Sequence, residues 1–100
     1  MAKQPAVYIL ASKYNGTLYI GVTSNLPQRM VQHREEVIEG FSKKYGIKMI
    51  VYFEMCEDMV SAISREKAIK GITRAKKIAL IESVNPNWED LIIKLELLKP

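Results

Sequence analysis

Cysteine and histidine occur once each in these 100 residues, as Cys56 and His33. One thiol excludes an intrachain disulfide and fits a reducing compartment. One thiol and one imidazole cannot assemble a zinc site of the usual nitrogen and sulfur type. A Cys56 and His33 nucleophile pair is set aside as well, because Cys56 follows Met55 at the end of an apolar run with nothing nearby in sequence to lower its pKa. The five glycines are isolated, so no Gly-rich phosphate loop is present. No Pro/Gly/Ser-rich linker and no internal repeat divides the chain. Apolar runs are short: Leu91-Ile92-Ile93 stops at Lys94, far from the roughly 18 to 20 residues a membrane span needs. Met1-Ala2-Lys3-Gln4-Pro5 enters a strand-like run directly, without the features of a secretory leader. A cytoplasmic protein with no membrane partner is expected.

What remains is the material of one domain, residues 1–100. Apolar residues make up 48% and charged residues 26%, a balance that supports a single core and argues against disorder. The net charge is +4, and its distribution says more than its sum. Arg65, Lys67, Lys70, Arg74, Lys76 and Lys77 face only Glu66 within their stretch, a local charge of about +5. Such a segment is either a solvated helix surface or a contact for an anionic partner.

The order of elements predicts an α+β fold with a small three-stranded antiparallel sheet flanked by helices. Val7 to Ala11 and Thr17 to Val22 flank Asn15-Gly16, a hairpin signal with a two-residue turn. Any odd-sum register places Tyr8 and Tyr19 on one face, leaving Val7, Ile9, Ala11, Leu18, Ile20 and Val22 on an apolar face. Ser24 or Asn25 caps a first helix with Pro27 in its first turn, ending by Gly40. Lys48 to Glu54 is a third strand. A second helix runs from near Asp58 to Gly71, where the glycine is expected to turn left-handed. Thr73 caps a third helix through about Ser83, and Asn85 to Asp90 opens a last one.

Glu66 is the most informative position. Met59, Ala62, Ile63 and Ile69 define the apolar stripe of the second helix, and Glu66 falls within it. A carboxylate there needs compensation. It is either a buried salt bridge or rim residue, or a metal ligand or acid/base group lining a cleft. Arg29 and His33, four apart on the first helix, project together and could grip a phosphate; the alternative is two ordinary surface or structural side chains. Tyr8 and Tyr19 read equally as aromatic core. Asn85 before Pro86 reads as a cap or turn residue, and Trp88 as a packing anchor.

Together these positions resemble the GIY-YIG nuclease family. Ala6-Val7-Tyr8, with Ala6 where the family name has glycine, matches the first motif, and Tyr19-Ile20-Gly21 the second. Arg29, His33, Glu66 and Asn85 fall where the family carries its functional residues, and the motif-bearing core spans residues 7–91. Leu18-Tyr19-Ile20-Gly21-Val22-Thr23, Arg65-Glu66-Lys67 with Ala68-Ile69-Lys70-Gly71, and Asn85-Pro86-Asn87-Trp88-Glu89-Asp90-Leu91 look most like small stand-alone bacterial members. The resemblance implies metal-dependent hydrolysis of DNA phosphodiesters, directed by backbone structure at nicked, flapped or branched DNA and linked to repair or recombination. It implies Glu66 as the one protein ligand of Mg²⁺ or Mn²⁺, Arg29 as the charge stabiliser, and Tyr8 as general base. Tyr19 or His33 would orient water, and Asn85 would position Glu66 or the phosphate. Lys13 would favour the phenolate, and the Arg65 to Lys77 segment would hold flanking phosphates. With one site per chain, two-strand cutting would take a homodimer, and targeting would be supplied by a protein partner. The competing reading is a non-catalytic nucleic-acid-binding or adaptor module that keeps the fold.

Overall fold

The computed structural model describes residues 5–29 and 49–92. Its order is β1 (Ala6–Ala11), β2 (Leu18–Thr23), β3 (Met49–Met55), α1 (Met59–Lys70) and α2 (Arg74–Val84), with a further helical start at residues 26–29. The strands form one antiparallel sheet in the order β2-β1-β3. The α+β expectation therefore holds.

β1 is buried along its whole length, because it is the central strand and helical elements cover both of its faces. Val7, Ile9, Ala11 and Ile20 pack with Ile69 of α1, Ile81 of α2 and Trp88 on one side. Ala6, Tyr8 and Leu10 pack with Leu26 and Ile50 on the other, where Leu91 and Ile92 join them. The sheet thus divides the core by side-chain parity, as period-two alternation requires. A bulge in β3 disturbs that parity once. Ile9 pairs with Tyr52 and Leu10 with Ile50, so Val51 is the extra residue and shares the core side of Tyr52.

The hairpin pairs Ala11 with Leu18, so its loop is longer than the two-residue turn expected. Gly16 N–H donates to the Lys13 carbonyl at 2.9 Å and Ser12 N–H to the Thr17 carbonyl at 3.0 Å, while Asn15 adopts φ 56°. The turn therefore spans Lys13 to Gly16. The register remains odd-sum, and Tyr8 and Tyr19 do share a face.

Helix starts follow their caps. Asn25 Oδ1 accepts from Gln28 N–H at 3.3 Å, Asp58 from Ser61 N–H at 2.8 Å, and Thr73 from Lys76 N–H at 3.2 Å. The end of the first helix at Gly40 lies outside the described residues. Gly71 closes α1 in the right-handed region, φ −83°, because its N–H still bonds back to Lys67 and Ala68; the left-handed expectation is corrected. Ile63 is also corrected, being exposed rather than part of the stripe. The last helix does not open at Asn85. Residues 85–90 are non-helical, with a turn at 86–87, because Asn85 Nδ2 donates to the Val51 carbonyl, Asp90 accepts from Ile50 N–H, and Trp88 adopts φ 55°, outside the helical region.

Candidate active site

The site begins with one cross-strand pair. Tyr8 of β1 stands opposite Gly21 of β2, and the Tyr8 ring lies across that glycine. A Cβ on Gly21 would stand 2.5 Å from both Cζ and the hydroxyl oxygen of Tyr8, so no other residue leaves the phenol where it is. Tyr19, opposite Leu10, places its ring centroid 6.4 Å from that of Tyr8 at 30°. Tyr8 is completely buried and belongs to the core cluster on its side of the sheet, as its core reading has it.

Arg29 reaches the same place from the helical start after β2. Thr23, buried at the end of β2, accepts from Asn25 N–H at 3.1 Å, and this turn aims residues 26–29 back over the sheet. Thr23 was not singled out from the sequence, although Thr-Ser-Asn before a helix is a legible turn signal. Glu66 comes from the far side of the chain, on the flank of α1 that carries buried Ala62 and Ile69. Its side chain is only 16% exposed and pairs with Lys70 Nζ at 3.3 Å. The salt-bridge alternative is thus present.

These groups share one electrostatic environment. Burial pushes the Tyr8 phenol from 10.0 up to about 12; Arg29 opposes this through its charge and a hydrogen bond, while the charges of Tyr19 and Glu66 add to it. Tyr8, Tyr19, Arg29 and Glu66 are therefore gathered, although they are widely separated in sequence.

The remaining expected residues are distributed otherwise. His33 lies outside the described residues. Lys13 sits in the hairpin turn, with its Cγ against Gly16, and is not among the groups acting on Tyr8. Asn85 is buried, and its amide is spent on main chain: Nδ2 donates to Val51 at 3.0 Å and Glu89 at 2.9 Å, and Oδ1 accepts from Glu89 N–H at 3.0 Å. Its bonds run to the scaffold and not to Glu66.

The basic segment also separates into parts. Arg65 Nε and Nη2 grip Glu54 at 2.9 to 3.1 Å, and the Tyr52 hydroxyl donates to the same carboxylate. Arg65 holds that carboxyl below its usual range, while burial and Glu54 push the Tyr52 phenol up to about 12. Arg74 Nη2 donates to the carbonyls of Asn15 and Gly16 at 2.8 and 2.7 Å. Lys67 and Lys76 are exposed and Lys77 half-buried, and none of the three has an acidic partner among the described residues. Glu54 is the partner the sequence reading missed. Strand alternation, placing Tyr52 and Glu54 on one face, was its only signal.

For a metal, the donor set is a lone carboxylate. Among the described residues no group of three or more His, Cys, Asp or Glu side chains is placed to hold an ion. Glu66 fits a hard cation that completes an octahedron with water and substrate oxygens, not a protein-caged zinc. The Lys70 ammonium on its Oε2 shows that the carboxylate already receives a positive charge.

A small antiparallel sheet with a tyrosine lying over the glycine of a Tyr-Ile-Gly strand, an arginine and one carboxylate is the arrangement of a GIY-YIG-type domain. The GIY-YIG catalytic domain profile matches residues 4–79, and the chain belongs to that family. Its relatives include a UPF0213 protein of Clostridium perfringens, 40% identical, covering 77% of this chain and 82% of the relative. A UPF0213 protein of Syntrophus aciditrophicus is 35% identical over 80% of this chain and 91% of its own length. The fold is similar to the solution structure of a UPF0213 protein of Bacillus halodurans, with TM-score 0.55 and 23% identity over 87% of this chain and 92% of the other. A GIY-YIG catalytic domain implies nuclease-type function. Among the described residues no helix is long and apolar enough to cross a membrane.

Proposed function

We propose that this protein hydrolyses DNA phosphodiester bonds at Tyr8, Tyr19, Arg29 and Glu66, with Mg²⁺ or Mn²⁺ held by Glu66. The observation that supports this most is the completely buried Tyr8, whose hydroxyl hydrogen-bonds with the Arg29 guanidinium and feels the charge of the Glu66 carboxylate. A ring packed only for its apolar area needs neither.

Bound at Glu66, the cation would supply Lewis-acid stabilisation of phosphoryl oxygens and offset the carboxylate charge that disfavours the Tyr8 phenolate. Arg29 donates charge-assisted hydrogen bonds to the phosphoryl group as negative charge gathers there. Tyr8, once ionised to the phenolate, takes the proton of the attacking water and returns to the phenol, and Tyr19, with His33 by resemblance, orients that water. With its phenol at about 12, Tyr8 rests neutral at pH 7, so the rate should climb with pH through the neutral range. The products are a 5′-phosphate and a 3′-hydroxyl. Lys67, Lys76 and Lys77 hold flanking phosphates, contacts that carry no base information. Substrates are therefore chosen by structure, as with the nicked, flapped and branched DNA of repair and recombination. Asn85 acts as a scaffold strap that keeps β3 in place.

The test is incubation of the full chain with nicked, flapped, branched and single-stranded DNA, with and without Mg²⁺ or Mn²⁺. Cutting that needs the cation and leaves a 5′-phosphate is expected. Salt-sensitive binding with no cutting of any substrate would replace this reading with that of a binding module.

A further inference from the structure

We infer that Lys70 is a positioning residue for Glu66: its ammonium holds the carboxylate in place, leaves it when a divalent cation arrives, and so sets the cation affinity of the site. The inference rests on the reading of Glu66 as the metal ligand.

Three observations lead to it. Lys70 Nζ stands 3.3 Å from Glu66 Oε2, one helical turn further along α1, with the acid on the N-terminal side, the favourable order for such a pair. The carboxylate is 16% exposed while the lysine side chain is 54% exposed. One partner is therefore fixed against the sheet and the other is free to swing out. Lastly, the other basic side chains of α1 do not compete for the role. Arg65 is engaged by Glu54, and Lys67, adjacent to Glu66 in sequence, projects from a different side of the helix.

A carboxylate oxygen occupied by an ammonium is not available to a divalent cation in the same geometry. Binding must break the pair, and affinity is lowered by what the pair contributes. For an i,i+4 pair with one exposed member that is roughly a two- to five-fold effect. The pair thus keeps Glu66 aimed at the Tyr8 side of the site before any cation is present, at a small cost in affinity.

The test is titration of the full-length protein with Mn²⁺ in the absence of DNA, counting free ion by electron paramagnetic resonance. Lys70→Gln should bind Mn²⁺ two- to five-fold more tightly than the wild type, with folding checked by circular dichroism. Lys70→Arg, which can restore the pair, should bind at or below the wild-type affinity. Lys67→Gln removes the same charge without touching Glu66 and should match the wild type, which separates the pair from the general field of the protein. Glu66→Gln should abolish the site. If Glu66→Gln abolishes binding but Lys70→Gln binds no more tightly than the wild type, the inference is overturned while Glu66 stands as the ligand. If no Mn²⁺ binding depends on Glu66 in any variant, the inference and the metal reading fall together.

Discussion

The packing of Tyr8 on Gly21 ties strand pairing to chemistry at a single point. A methyl group on Gly21 would meet the end of a ring that is completely buried, so the phenol could yield only by displacing its neighbours. Gly21→Ala is expected to destabilise the fold by about 1–3 kcal/mol in urea unfolding. It should also lower cleavage far beyond the effect of that destabilisation, since the hydroxyl itself moves. Tyr52 offers a test in pH. Its phenol ionises near 10.0 in the unfolded chain and near 12 in the folded one, chiefly through burial and then through Glu54. Between those values the unfolded chain has released a proton that the folded chain retains, so stability is full below pH 10 and falls as pH rises toward 12. Tyr52→Phe should flatten that decline in thermal unfolding. At this scale the sequence was partly legible: helical spacing showed Glu66 to be out of place on a buried face. The Tyr52, Glu54 and Arg65 cluster was not, because it depends on how α1 lies against β3.

Elements in this fold are tied by side chains that cross between them. Asn85 binds the end of α2 to β3 through Val51, and next to it Leu91 N–H donates to the Ile50 carbonyl at 2.8 Å. The bulged edge of β3 is thereby covered, which also protects it from pairing with other strands. Asn85→Ala leaves the buried Val51 carbonyl and the part-buried main chain of Glu89 without the partner they have in Asn85. It should cost about 2–3 kcal/mol, seen as a lower urea midpoint with an unchanged slope. Arg74 closes the opposite connection, from the first turn of α2 to the hairpin turn. Local signals gave the strands, both helices and their caps, because alternation and capping chemistry are local. The hairpin loop and the non-helical stretch at 85–90 were misread, since Asn-Gly and Asn-Pro fit more than one local conformation and tertiary bonds chose among them. Residue parity survived the longer loop, so the two tyrosines were placed on one face for a sound reason.

For the whole molecule, the basic charge is less available than its sum implies. Arg65, Lys70 and Arg74 hold Glu54, Glu66 and the hairpin turn, leaving Lys67, Lys76 and Lys77 as the uncommitted cations of that segment among the described residues. DNA binding by Lys67→Ala, Lys76→Ala or Lys77→Ala should show a salt slope reduced by about 1 for each phosphate no longer neutralised. Arg74→Ala should leave the slope nearly unchanged and loosen the hairpin in hydrogen exchange. Sequence reading treated all six as equivalent, because partners such as the Asn15 and Gly16 carbonyls exist only once the chain is folded. Register alone placed Tyr8 and Tyr19 on one face, but that Arg29 and Glu66 join them could be expected only by resemblance, since nothing in the spacing of those elements brings them together. That gathering is best tested by cleavage kinetics of Tyr8→Phe, Glu66→Ala and the double variant on a substrate the wild type cuts with Mg²⁺. Residues acting as one unit should each lose roughly 10²-fold or more, and the double variant should lose little beyond the worse single one. Independent losses that multiply, or full activity in either single variant, would contradict a common site.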